Sequence, residues 1–301
     1  MTKLSKSILI ASSIVVSAVL ATGVRAQNGN GTLNAGFYGS ALAVQTINTG
    51  FGDSTSGDGN SLGGSELDAA YGQISGGNLY LFLSGNFENN GNHVNVFVAG
   101  GTAGQSTLSL PATASMATMN GSVFSPGFQA TYAFDMNDYA STAYVEEYTG
   151  LGGTPAGGYV GAAPVNSGNS NVAAGGSYPA YASLSVNDFH VSTMGAAGGA
   201  ADPAAMVGTT TGLELAIPLS AIGYGGGAVE VLADINGGGD SYLSNQFLPG
   251  LPVSTGNLGT PGFNFGSTPG EYFTVVPEPS SIALVVVGLL GAIGMIRRRK
   301  A

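Results

Sequence analysis

The chain has 301 residues, a formal net charge of −10 and no cysteine, which excludes disulfides, thiolate metal sites and cysteine nucleophiles. Its 51 glycines weigh against long helices, since each one inside a helix costs about 1 kcal/mol relative to alanine. They follow no three-residue period, so collagen is excluded as well.

The charges are unevenly placed. All seven basic side chains lie near the ends, at Lys3, Lys6, Arg25, Arg297, Arg298, Arg299 and Lys300, whereas all seventeen acidic ones fall between Asp53 and Glu278. A body without Lys or Arg has no counter-charge for phosphates, which argues against nucleic-acid binding. Its carboxylates must be solvated, hydrogen-bonded to neutral donors, or bound to cations.

The N-terminus reads as a cleavable signal peptide spanning residues 1–26. Lys3 and Lys6 precede an apolar stretch from Ile8 to Leu20, and Val24-Arg25-Ala26 supplies a small-residue cleavage site. The cut is expected between Ala26 and Gln27, by signal peptidase. Residues 27–275, roughly 250 residues, suit one large β domain.

Within it, Leu42 to Thr49 reads as a strand, followed by a Gly/Ser/Asp loop over 50–65. Gln73-Ile74 leads into the turn signal Ser75-Gly76-Gly77-Asn78. Leu79 to Leu83 is a continuous apolar run that suits a strand buried on both faces. With a turn over Phe87 to Asn92 and the next strand at Val94 to Val98, it predicts a hairpin. Phe128 to Phe134 alternates apolar and polar positions, as a half-buried strand does. Ala143 to Tyr148, Tyr181 to Val186, Leu213 to Leu219, Val229 to Ile235, Phe263 to Phe265 and Tyr272 to Val276 are further candidate strands. Thr149 to Ser177 and Gly195 to Gly212 read as long Gly/Ala loops.

Short strands between Gly-rich turns predict an all-β fold, an antiparallel β-sandwich of jelly-roll type with long Gly-rich loops, flanked by an N-terminal signal helix and a C-terminal transmembrane helix. An outer-membrane barrel is disfavoured, because Leu79 to Leu83 lacks the polar-in alternation a barrel strand needs.

The C-terminal segment, 276–301, has its own logic. Val276-Pro277-Glu278-Pro279 precedes an uncharged span from Ile282 to Ile296, and Arg297-Arg298-Arg299-Lys300 follows. The prolines mark the outer end of the helix and the basic cluster belongs on the cytoplasmic side. At ~1.5 Å per residue the span reaches ~22 Å, short of the ~30 Å of a bilayer core. It suits a transient anchor in the inner membrane. This tail resembles the PEP-CTERM sorting signal of Gram-negative bacteria. The resemblance rests on Pro277-Glu278-Pro279, the apolar span and the terminal basic cluster. It implies recognition by an exosortase, a membrane transpeptidase, and a final place at the cell surface or in the extracellular matrix.

The body is also similar to DOMON-like carbohydrate-binding sandwiches, through Leu67-Asp68-Ala69-Ala70-Tyr71, Gly77 to Asn86 and Glu214-Leu215-Ala216-Ile217-Pro218-Leu219. That likeness implies an extracellular polysaccharide as partner. Tyr71, Tyr80 and Tyr242 are candidates for stacking on sugars.

Among chemistry-bearing patterns, Asp234-Ile235-Asn236-Gly237-Gly238-Gly239-Asp240 sets oxygen atoms between glycines. Asp234, Asn236 and Asp240 could hold Ca²⁺, or the segment is a Gly-rich hairpin turn. Asp53 and Asp58 lie in a similar loop. His93 and His190 read as surface residues without a partner at metal spacing, and no Gly-x-Ser-x-Gly stands in a strand–turn–helix setting. For a glycosidase, the acid pairs to weigh are Glu146-Glu147, whose side chains point to opposite faces of a strand, and Glu66 with Asp68, which share a face if the strand is regular. The reading these observations favour is a non-enzymatic structural or adhesive protein without a catalytic or cofactor site, with a carbohydrate-binding module and a secreted glycosidase as alternatives. The charge map makes one direct forecast: trypsin leaves the mature body uncut between residues 27 and 279, which peptide mapping by mass spectrometry checks.

Overall fold

A computed structural model describes residues 29–51, 64–165, 173–174, 183–186, 198–260, 262–267 and 271–277. The signal peptide, the apolar tail span, the basic cluster, Glu278, Pro279, Asp53, Asp58 and His190 lie outside them. Among the described residues no helix is long and apolar enough to cross a membrane.

The body is two antiparallel sheets packed face to face. The first has five strands in the order β1 (Ala43–Val44), β2 (Glu66–Ser75), β3 (Asn78–Asn86), β10 (Gly212–Pro218) and β9 (Ser183–Val186). The second has eight. Seven run in the order β12 (Leu243–Leu248), β11 (Val229–Asn236), β4 (Asn90–Ala99), β5 (Tyr132–Tyr139), β6 (Thr142–Thr149), β7 (Ala156–Pro164) and β8 (Ala173–Ala174), and β13 (Phe273–Val275) adds to β11. Helices are short: α1 (Ala35–Tyr38), α2 (Pro203–Gly208) and a 3₁₀ turn at Ser115–Met119.

The central core follows from period-two alternation. Leu79, Leu81 and Leu83 of β3 and Leu213, Leu215 and Ile217 of β10 face Val94, Val96 and Val98 of β4, Phe134 of β5 and Val231 of β11. The continuous Leu79–Leu83 run is buried on both faces as expected. Its even-numbered Phe82 packs under Phe37 and Tyr38 of α1 with Tyr71 of β2. Glu214 locks that cover down. Its carboxylate accepts hydrogen bonds from the Asn30 and Gly31 amides (2.9 and 3.3 Å) and from the Tyr38 hydroxyl (3.1 Å). A second core lies on the other side of the eight-stranded sheet, where Phe97, Ala133, Tyr148 and Leu232 meet Met116, Met119, Phe124 and Phe265.

Several expectations are corrected. β3 and β4 form no hairpin. β3 pairs with β2 and β10, and β4 with β11 and β5, so the chain crosses between sheets after Asn86. The hairpin is β2–β3, closed at Gly76 and Gly77, both at positive φ (56° and 84°), where a side chain is disfavoured. Phe263 to Phe265 forms no strand; Phe265 opens a 3₁₀ turn. The glycine-rich stretch after Thr149 contains strand β7. At Gly157 an added Cβ would meet the Glu147 carbonyl of β6, so a residue without a side chain lets the two strands approach.

Leu81 is fully buried in the inter-sheet core. Leu81→Ala should lower stability by about 2–5 kcal/mol, read as a lower midpoint in urea unfolding.

Candidate functional site

The face of the eight-stranded sheet turned away from the inter-sheet core is divided. Cross-strand register sets Leu232, Phe97, Ala133 and Tyr148 in an apolar row. The next row along is Asp234, Asn95, Asp135 and Glu146, and the one after it Asn236, His93, Asn137 and Tyr144. Two polar rows thus lie side by side across β11, β4, β5 and β6. The 3₁₀ turn at Ser115–Met119 and the turn Gly238–Asp240 cover them: Thr118 Oγ1 donates to the Gly239 and Asp240 carbonyls (3.0 and 2.8 Å).

Beneath this cover the polar groups converge. His93 Nδ1 lies 2.8 Å from Asp135 Oδ1 and 3.4 Å from Asp240 Oδ2. Asn95 Nδ2 donates to Asp135 Oδ1 (3.2 Å) and Asp240 Oδ1 (2.9 Å). Ser115 Oγ contacts Asp135 Oδ2 (2.7 Å) and Glu146 Oε2 (2.9 Å), its backbone amide donates to the same Glu146 oxygen (3.0 Å), and the Tyr148 hydroxyl donates to it too. His93, Asp135 and Asp240 are all buried, and among the described residues they are the group of three whose ligand atoms lie within 4.8 Å of one another.

The protonation pattern follows from these partners. The Gly239 amide (3.2 Å) and Asn137 Nδ2 (3.0 Å) both approach His93 Nε2. In the neutral ring Nε2 therefore accepts and the proton sits on Nδ1 between the two aspartates; protonating the ring puts a second proton on Nε2 and displaces these two donors. Burial opposes charge on His93, but the carboxylates of Asp135, Asp240 and Glu146 outweigh it and push its pKa up to about 9. Burial first, then the charge of Asp135, pushes Asp240 up to about 8. Asp234, fully buried, is raised well above the carboxylate range by burial and then by Asp240 and Asp135. At neutral pH His93, Asp240 and Asp234 therefore keep protons that they would lose in water.

The residues singled out from sequence are dispersed. Of Asp234, Asn236 and Asp240, Asp240 alone joins His93 and Asp135. Asp234 stands beside them across Asn95, and Asn236 Oδ1 is taken by the Tyr242 amide (2.9 Å). The segment is a hairpin turn between β11 and β12, with the Gly237 amide bonded to the Tyr242 carbonyl (2.9 Å), and it also swings Asp240 inward. His93 is not a surface residue: it is 5 % exposed on β4. Glu146 lies under Ser115, whereas Glu147, its neighbour, turns to the opposite face beside Tyr132. Glu66 and Asp68 are both buried, and a bulge between Leu67 and Ala69 breaks the regular alternation there. Tyr71 is buried and Tyr80 packs edge-on against Phe37, so neither presents a free ring; Tyr242 is half exposed and stacks on Phe51. Pro277 bridges Ile74 at the end of β2.

The structure thus defines an antiparallel β-sandwich whose last strand runs straight into the tail. Residues 275–300 match the PEP-CTERM protein-sorting motif. That motif marks the chain as an exported PEP-CTERM protein with an exosortase as its processing partner and a membrane-associated sorting step. No curated protein and no solved structure matches the chain.

The raised groups fix a pH dependence. Asp240 moves from 3.8 to about 8 and His93 from 6.5 to about 9, so the folded state binds more protons than the unfolded state across this window. Stability then falls as pH rises. In chelator, where only protons compete for the carboxylates, the melting temperature should drop steadily from pH 5 to pH 9. Asp234→Asn, which removes a buried titrating carboxyl with no hydrogen-bond partner, should flatten that slope.

Proposed function

We propose that the exported body is a non-enzymatic structural or adhesive protein of the cell surface or extracellular polysaccharide matrix. The observation that carries this reading is the continuity of body and sorting tail: β13 pairs with β11, and two residues later Pro277 is still bonded to β2, so the sorting motif begins on the folded body itself. The use of the carboxylates supports it. Glu214 fastens the N-terminal segment, Glu146 fastens the 3₁₀ turn at Ser115, and Glu271 accepts from Ser125. These acids hold the fold together.

A carbohydrate-binding role is the second reading, favoured by the open edge of the same outer face. Tyr144 on β6 and Tyr159 on β7 are 42 % and 38 % exposed. Tyr159 stands opposite Glu146, which is two residues along β6 from Tyr144. Exposed rings beside carboxylate and amide groups suit a sugar, whose C–H faces stack on aromatics and whose hydroxyls seek acceptors.

A glycan array with the purified protein separates the two. Saturable binding to a defined glycan, weakened at least about tenfold in a Tyr144→Ala/Tyr159→Ala double variant (about 1.4 kcal/mol or more), would establish the carbohydrate-binding role. Binding to no glycan leaves the structural role. Hydrolysis of a glycan, abolished by Glu146→Gln, would overturn both.

A further inference from the structure

We infer that His93, Asp135 and Asp240 form a binding site for one divalent first-row cation of the Zn²⁺ or Mn²⁺ class, which clamps the outer layer of the body to its eight-stranded sheet.

The geometry comes first. Ligand atoms bonded to one such ion at ~2.1 Å stand about 3.0–3.4 Å apart in octahedral or tetrahedral arrangements. The 3.4 Å from His93 Nδ1 to Asp240 Oδ2 falls on such an edge, the 2.8 Å to Asp135 Oδ1 is slightly shorter than one, and all three ligand atoms lie within 4.8 Å of one another. The ligands come from two adjacent strands and from the turn after a third. Each carboxylate is also oriented by a second contact on its far oxygen: Ser115 Oγ on Asp135 Oδ2, and Asn95 Nδ2 on Asp240 Oδ1. Outer partners of this kind fix ligand direction in metal sites.

An independent observation points to a missing positive charge. Asp234 is 0 % exposed, and no protein donor reaches either of its carboxylate oxygens. Asp240 Oδ2 is likewise buried without a hydrogen bond. Burying a carboxylate unpaired is costly unless it is neutralised, and between Gln27 and Pro279 there is no Lys or Arg to do so. Asp234 is the cross-strand partner of Asn95, which itself bonds both Asp135 and Asp240. A dication in the cluster supplies the counter-charge that Asp234 and Asp240 Oδ2 lack.

The imidazole decides the class of ion. Ca²⁺ and Mg²⁺ take oxygen ligands, whereas nitrogen beside carboxylates favours first-row metals. Starting from the doubly protonated ring, binding releases the Nδ1 proton to solvent, puts the metal in its place and leaves the ring neutral with its remaining proton on Nε2. Asn137 Nδ2 and the Gly239 amide, which both point at Nε2, must then turn away; Asn137 does so by flipping its amide to accept from Nε2–H, giving up its bond to the Gly91 carbonyl, and Gly239 by rotating its peptide. Gly237, Gly238 and Gly239 carry no side chains to oppose that rotation, and Gly239 already sits at φ 68°.

The test uses the full chain, stripped with chelator and dialysed against equimolar Zn²⁺, Mn²⁺ and Ca²⁺. Metal content is read by inductively coupled plasma mass spectrometry and melting temperature by circular dichroism. The expected result is about one Zn²⁺ or Mn²⁺ per chain, with a raised melting temperature. His93→Gln and Asp135→Asn should each weaken binding more than about tenfold, and Asp202→Asn, on the remote α2 cap, should not. Should those variants fail to fold, Co²⁺ titrated into the wild-type chain keeps the question open to measurement: visible absorption bands of nitrogen-and-oxygen-ligated Co²⁺ are expected. No bound cation and no Co²⁺ bands would overturn the site. Ca²⁺ binding that survives His93→Gln would overturn the ligand set.

Discussion

The body has no basic side chain except histidine, and its architecture turns on how it satisfies its carboxylates without one. Lys and Arg are the side chains that can pair a buried carboxylate with a full positive charge at every physiological pH. Here each described acid has to find amides, hydroxyls, an imidazole or a proton. Glu214 uses two backbone amides and a tyrosine. Glu146 uses a serine amide, a serine hydroxyl and a tyrosine. In both cases donors come from a segment that crosses over the sheet, Asn30, Gly31 and Tyr38 for Glu214 and Ser115 for Glu146, so satisfying the carboxylate and fastening the cover are one interaction. A net hydrogen bond to a charged group contributes about 1.5–3 kcal/mol, and removing it strands a buried charge. These few contacts therefore add to the apolar packing that seats the covering segments on the sheets.

The same constraint explains why the outer face of the larger sheet is split. Its apolar row of Leu232, Phe97, Ala133 and Tyr148 is sealed by methionines and phenylalanines of the covering segment. The two polar rows beside it are sealed by turns that bring their own donors, Ser115 and Thr118. The cluster around His93 sits where these seals meet. Its members come from residues 93, 95, 115, 135, 146 and 240, which are distant in sequence and adjacent only because β11, β4, β5 and β6 lie side by side. A site built this way ties four strands and two turns together. It stands in a chain that has no cysteine to do so.

Much of the fold was legible residue by residue. Alternation in β4, β5, β6 and β11 separates inward Val94, Phe134, Val145 and Val231 from outward Asn95, Asp135, Glu146 and Asp234, and it needs no neighbours to be read. Alternation is silent on partnership. The β3–β4 segment looked like a hairpin because two apolar runs flank a turn, yet the chain there passes from one sheet to the other. β7 was hidden because its glycines carry no apolar signal; they serve the close approach to β6. His93 looked like a surface residue because a polar turn precedes it, although β4 extends back through Asn90 and Asn92 and pairs His93 with Asn137 and Asn236.

The sequence by itself determined the sorting route of this protein and the terms of its stability. The sorting tail is a local string that a membrane enzyme reads as such, and the separation of basic from acidic residues is a property of composition. The site was decided only by tertiary structure. Which carboxylates meet one another depends on strand order and register, and these are set by long-range pairing that no local pattern encodes. The segment from Asp234 to Asp240 shows both. Its turn chemistry is written in its glycines, while the partners its last aspartate meets, His93 and Asp135, are supplied by strands about a hundred residues or more away.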